Sequence, residues 1–184
     1  MSVVYLLAIG SVPGQVLDWM EETVADWCPW PVRRLPAIVF PEDSYDAKRG
    51  QYKSVDIMKV VARSAPSDAT RILGVTEGDL AIPTLTFVFG QAQLDGPVAV
   101  VSLARLRQEF YGLPGEVTVL RERLAKEVLH EFGHTFGLTH CADSKCVMSL
   151  ATHIGLVDNK DERYCGRCGA HLVRSFAASD GEAK

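Results

Sequence analysis

His130-Glu131-Phe132-Gly133-His134-Thr135-Phe136-Gly137-Leu138-Thr139-His140 is the stretch from which the rest of the chain is read. Residues 116–136 contain no proline, and Val119, Leu120, Leu124, Val128, Leu129 and Phe132 keep an apolar face at helical spacing, so a helix is expected there. Helical positions four apart lie about 40° from each other and one turn along the axis, so the imidazoles of His130 and His134 can reach one ion. Glu131 projects beside them, placed as a general base on a water at that ion without being a ligand. Gly137 follows the last turn, where a glycine adopts a left-handed conformation, ends the helix and brings His140 back to the same ion. Three neutral histidines leave a coordination position open, which is the arrangement of a catalytic rather than a structural zinc. Gly133 costs a helix interior about 1 kcal/mol relative to alanine, and a close contact is expected to require its missing side chain.

Working outward, four of the five cysteines follow at once: Cys141, Cys146, Cys165 and Cys168, with Cys28 standing apart. One pair is spaced by four intervening residues and the other by two, the pattern of a closed four-thiolate zinc site with a structural role. Two disulfides, or four unligated buried thiols, are the alternatives. Cys28 reads as a small buried hydrophobe.

Upstream, an apolar run over Val3–Ile9 predicts a first strand, and Val16, Leu17, Met20, Val24 and Trp27 predict a helix after the turn at Pro13-Gly14. Residues 37–40 predict a second strand, and residues 54–63 a second helix with Ser54 as N-cap. Further strands are expected at 71–75, 84–89 and 98–103. This order argues an α/β (α+β) architecture with a mixed, twisted sheet. The division expected is residues 1–137 for the sheet and helices, including the active-site helix at about 116–136, and 138–184 for a small, loop-rich, zinc-stapled C-terminal subdomain. The end, from about Ala177, is expected to fray.

The chain has 184 residues, 47% of them hydrophobic, enough to fill a core. A net charge of −4, from 23 acidic and 19 basic residues without a long single-sign run, offers no polyanion-binding surface. Residues 158–184 carry five acids against five Lys/Arg, so the cysteine-rich end also lacks the positive excess that phosphate binding needs. No nucleic-acid partner is expected. The N-terminal run has neither a basic leader nor a small-residue cleavage site, so neither a signal peptide nor a membrane span is expected. A cytoplasmic monomer is the resulting expectation.

Together, the histidine motif, Cys141, Cys146-Val147-Met148 and the Cys165/Cys168 pair resemble the archaemetzincin family of metzincin zinc metallopeptidases. The match covers about 40 residues, and the 16 residues between Met148 and Cys165 make a spacer about one residue short of the family's. The resemblance implies a metzincin-like zincin fold and two zinc ions per chain. The catalytic one would sit on His130, His134 and His140, with Glu131 as acid/base residue, and the structural one on the four cysteines. It also implies that Met148 is the methionine turn beneath the histidines, where the residue alone reads as core packing.

Peptide hydrolysis is the function expected, endo- or amino-terminal. A metzincin-like hydrolase of narrow non-peptide amide specificity and a zinc-binding adaptor with little catalysis are the alternatives. Tyr111 and Tyr164 are candidates for stabilising an oxyanion, and His153 and His171 read as surface or supporting residues. A substrate held as an extra strand would lie along residues 87–92 or 98–102.

Overall fold

The first strand, β1 (Val3–Ile9), is buried along its whole length. A parallel strand covered on both faces needs no alternation of apolar and polar residues. In the computed structural model, which describes residues 2–182, β1 lies between β2 (Val32–Arg34) and β5 (Ala69–Thr76), parallel to both. β5 pairs in parallel with β8 (Val98–Ser102), and β7 (Gly90–Ala92) closes that side antiparallel to β8. The five-stranded sheet therefore runs β2-β1-β5-β8-β7, with β2 and β7 as its edges.

Alternate residues of β1 feed two apolar clusters. Val4 and Leu6 join Met20 and Val24 of α1 (Gly14–Ala25) with Leu124, Val128 and Phe132 of α3 (Val117–Thr135). Val3, Tyr5, Leu7 and Ile9 join Ile57, Met58 and Val61 of α2 (Ser54–Ser64). Helices thus cover both faces of the sheet. A second sheet of three short strands, β3 (Tyr45–Asp46), β4 (Gln51–Lys53) and β6 (Leu80–Ala81), has β3 antiparallel and β6 parallel to β4.

Several expected elements lie elsewhere. The strand expected at 37–40 is instead β2, five residues earlier. Its polar residues Arg33 and Arg34 suit an edge, and Pro36, which has no N–H to give, breaks the ladder before a lone bridge between Ile9 and Ile38. Residues 84–89 do not form a strand: apart from one bridge between Leu80 and Val88, the carbonyls of Ile82, Leu85 and Thr86 go to the Arg49 side chain. Lys53, not Ser54, is the N-cap of α2, and the Ser54 hydroxyl donates to the Ala81 carbonyl at 3.2 Å.

Beyond residue 137 the chain is more helical than expected, with α4 (Ile154–Asn159) and α5 (Gly166–Glu182). Leu172 and Phe176 of α5 are buried in the cluster that holds α1 and α3, with Phe176 edge-on to Trp30 and Phe136. The tail expected to fray from Ala177 is helical to Glu182, and its last two residues lie outside those described. Among the described residues no helix is long and apolar enough to cross a membrane.

Candidate active site

Glu116 caps the start of α3, its carboxylate accepting the Thr118 N–H at 3.3 Å. Its second half runs under the edge of the sheet, and His130 and Glu131 are each only 5% exposed. A side chain on Gly133 would bring its Cβ to 2.5 Å from the Met148 sulfur, 3.1 Å from Tyr164 and 3.3 Å from Leu138. The helix needs glycine here because Met148 and Tyr164 pack against its backbone. Gly133→Ala is therefore expected to lower stability by about 1–3 kcal/mol, as overpacking of a close contact does, despite alanine's better helix propensity. Thermal melting checks this.

The helix closes with a two-bond C-cap: Leu138 N–H donates to Gly133 C=O at 3.2 Å and Gly137 N–H to His134 C=O at 3.0 Å. Gly137 has φ +80°, and the reversed chain delivers His140. His171 of α5 covers a further carbonyl of this end, its ring nitrogen lying 2.8 Å from Phe136 O.

The ligand atoms of His130, His134 and His140 lie within 4.8 Å of one another. His130 Nδ1 is 2.8 Å from the Val147 carbonyl and His134 Nδ1 2.6 Å from the Leu138 carbonyl. A carbonyl can only accept, so each Nδ1 carries the proton and each Nε2 keeps a lone pair. The two Nε2 atoms are 3.1 Å apart, near the roughly 3.3 Å expected of two ligands at tetrahedral angles around zinc. Burial holds His130 and His134 below the ordinary imidazole range, partial desolvation lowers the more exposed His140 in the same direction, and the positive charge of Lys160 adds to it. That direction favours the neutral imidazole, the form a metal requires.

Glu131 faces β7. A Cβ on Gly90 would come within 2.6 Å of the Glu131 Cγ and Oε1, so the edge strand passes directly over the carboxylate. Burial first, and the neighbouring Glu127 second, raise the Glu131 carboxyl well above the usual carboxylate range, against an opposing effect of Lys160.

Glu127 and Lys160 were not singled out from the sequence. Lys160 Nζ donates to Glu127 Oε1 at 3.1 Å and lies 3.4 Å from His130 Nδ1. Both side chains are almost wholly buried, at 0% and 3% exposure. Glu127 was within reach of helical spacing, four residues before Glu131 on the same face; Lys160 carried no signal. Lys160→Met leaves Glu127 buried without a partner and should cost about 3–5 kcal/mol, most of it recovered in the Glu127→Leu/Lys160→Met pair. Melting of the single and double variants measures the difference.

Glu127, His130, Glu131, His134, His140 and Lys160 all line a cleft of about 540 Å³, walled by residues 85–92 on one side and 150–152 on the other. The remaining candidates lie outside it. Tyr164 is buried, its hydroxyl donating to the Leu129 carbonyl at 2.6 Å, and Tyr111 donates to Arg105 O at 2.9 Å. Neither hydroxyl is available to an oxyanion in the cleft. His153 is the residue before α4.

The four sulfurs of Cys141, Cys146, Cys165 and Cys168 also lie within 4.8 Å of one another, and those of Cys141 and Cys165 are 3.8 Å apart. Tetrahedral thiolates on zinc sit about 3.8 Å apart, whereas a disulfide needs about 2.05 Å. None of the four is paired in a disulfide. N–H groups point at them: Cys165 N–H donates to Cys146 Sγ at 3.3 Å and the Arg167 guanidinium to Cys141 Sγ at 3.5 Å. A hydrogen bond from the Cys168 backbone, with those of the other cysteines, brings the Cys165 thiol down to about 7, whereas burial pushes Cys146 and Cys168 up. Such a set suits an ion of zinc's size and softness.

A sequence profile of peptidase family M54 matches residues 44–174. The archaemetzincin of Methanocaldococcus jannaschii is 49% identical over 163 residues, 87% of each chain, and that of Methanopyrus kandleri 38% over 169 residues, 91% of this chain and 93% of the relative. The crystal structure of the Methanopyrus kandleri archaemetzincin superposes with a TM-score of 0.84 at 37% identity over 96% of both chains. That of a zinc-dependent peptidase from Methanocorpusculum labreanum gives 0.82 at 32% identity, over 92% of this chain and 99% of the other. With its fold, a three-histidine and a four-cysteine group, and likeness extending along most of its length, the chain belongs to the archaemetzincins, the zinc metallopeptidases of peptidase family M54.

Proposed function

We propose that His130, His134 and His140 hold the catalytic zinc and Glu131 is the general base. On the same reading Met148 packs beneath the site as the methionine turn, Gly137 sets the turn that delivers His140, and Cys141, Cys146, Cys165 and Cys168 hold a structural zinc. The observation that carries the assignment is the meeting of three histidine ligand atoms with the buried Glu131 carboxylate in a single cleft beside the sheet edge at β7.

Zinc on the three imidazoles supplies Lewis acidity, polarising a scissile carbonyl and making water acidic enough to attack near neutral pH. The protein does the rest. Glu131 takes the proton of the attacking water and passes it to the leaving amine, a task suited to a carboxyl whose basicity burial has raised. The carbonyls of Val147 and Leu138 lock the ring orientation of His130 and His134. β8 lies between β5 and β7, so of the two candidate edges only β7 has a free side, and the peptide lies along it as an added strand. Residues 1–137 then supply the sheet and active-site helix, and 138–184 the methionine turn and cysteine site. A four-cysteine zinc site fits a reducing cytoplasm, and the protein acts there as a monomer on peptides, without a nucleic-acid or membrane partner.

Native mass spectrometry tests the assignment. Two zinc ions per chain are expected in the parent and one in His134→Ala; two retained in His134→Ala would contradict the ligand set. A second test uses Gly90→Ala, whose new methyl must displace the Glu131 carboxylate or the edge strand. Peptide hydrolysis should fall by about 10- to 100-fold, since small misplacements of catalytic groups have that effect, with both zinc ions kept.

A further inference from the structure

Between β6 and β7 the chain forms a lip over the cleft. Residues 82–86 turn, with Leu85 N–H donating to Ile82 C=O at 3.3 Å, and the lip's outward carbonyls are collected by one side chain. Arg49 donates from Nη1 to Ile82 O at 3.2 Å and from Nη2 to Leu85 O at 2.7 Å and Thr86 O at 2.8 Å, while its Nε donates to Gln51 Oε1 at 2.9 Å. Gln51 adds its own bond to Thr86 O at 2.9 Å and a second to Asp79, which Arg105 grips with two bonds of 2.8 Å. The Arg105 guanidinium lies 4.1 Å over the Phe87 ring. One side of the lip is therefore bound to the small sheet, and Ile82, Leu85, Thr86 and Phe87 line the cleft on the other.

Leu85, Leu94 and Leu150 all line this cleft, and they are 53%, 59% and 54% exposed. A single exposed leucine is ordinary, but three facing one groove leave an apolar surface to be covered. Of the carboxylate and ammonium groups among the described lining residues, Glu127 and Lys160 pair with each other and Glu131 is buried. A charged substrate side chain has no free counter-charge there.

We propose that Arg49 is a positioning residue for substrate binding: it fixes residues 82–86 so that Leu85, with Leu94 and Leu150, receives an apolar side chain of the bound peptide. The inference rests on the reading of the cleft as a peptide site. Arginine suits the task because its planar fork spreads five donors over three nitrogens and so spans carbonyls set apart from one another, whereas lysine's three donors all radiate from one nitrogen. Without that fork the lip must be ordered at the expense of binding, so affinity falls while the reacting groups are untouched.

The test uses two acetylated hexapeptide amides, one leucine-rich and one with aspartate in place of each leucine, titrated calorimetrically into zinc-loaded Glu131→Gln protein. The leucine peptide should bind at least tenfold more tightly. Adding Arg49→Gln or Leu85→Ala should weaken it about tenfold and Arg49→Lys by less, whereas Lys48→Gln, an exposed neighbour, should change nothing. Amide exchange of residues 82–89 should quicken in Arg49→Gln. With Glu131 intact, Arg49→Gln should raise KM about tenfold and leave kcat within twofold. Equal affinity for the two peptides, or an Arg49→Gln protein that binds the leucine peptide like its parent, would overturn the proposal. The expected binding pattern without any cleavage by the Glu131-containing protein would support the lip and contradict the catalytic assignment of the cleft.

Discussion

Glu131→Gln is expected to keep both zinc ions and the parent melting temperature, yet to hydrolyse peptides roughly 10³-fold more slowly, within the range lost with a general acid or base. The substitution is isosteric, and Glu131 is not among the residues whose ligand atoms converge. What changes is the proton. The carboxyl is buried under β7 beside Gly90, and an amide there cannot accept a proton from water. Steady-state kinetics on a confirmed peptide substrate, with zinc counted in the same preparations, separates the two effects. A variant with one zinc fewer would make Glu131 a ligand, and one with parent-like kcat would remove it from the mechanism.

Cys165→Ser should be the most destabilising single change, although Cys165 does not line the cleft. Structural zinc contributes on the order of 10 kcal/mol in small metal-folded units, comparable with the whole stability of an ordinary domain, about 5–15 kcal/mol. The cysteine site is also wired to the histidines. Cys146 is followed by Val147, whose carbonyl orients His130, and then by Met148, whose carbonyl accepts the Cys141 N–H at 2.9 Å beside His140. Loosening the four-thiolate site therefore releases the acceptor that holds His130 and the backbone that carries His140. We expect Cys165→Ser to lose the structural zinc, expose residues 138–176 to proteolysis, melt far below the parent and bind the catalytic zinc more weakly. Glu131→Gln should do none of these. A Cys165→Ser protein that loses one zinc but keeps its melting temperature and full activity would show the two sites to be independent.

The parts of the fold legible in the sequence are those whose burial is one-sided or complete. β1 is a run of seven buried residues, α3 keeps its apolar face, and three histidines and four cysteines stand at spacings that suit two metal sites. What was hidden depends on distant partners. β7 is Gly-Gln-Ala, with no intrinsic strand preference, and becomes a strand because β8 is beside it and Glu131 beneath it needs a glycine. β2 is polar because one side of it faces solvent. Two early glycines obscured α5, which is a helix because Leu172 and Phe176 are covered by the core built from α1 and α3. Nothing in the sequence around Arg49 predicts its bonds to carbonyls 33 to 37 residues away. The same holds for Lys160, whose partner Glu127 is 33 residues back.

Hydrolysis of a fluorogenic peptide library by one preparation, followed through chelation and stepwise return of zinc, tests the two-zinc peptidase account most directly. Cleavage should vanish in the chelated protein and return with zinc, in step with refilling of the three-histidine site as counted by native mass spectrometry, and it should not return in His134→Ala. Cleavage that persists without metal, or that returns equally in His134→Ala, would contradict it.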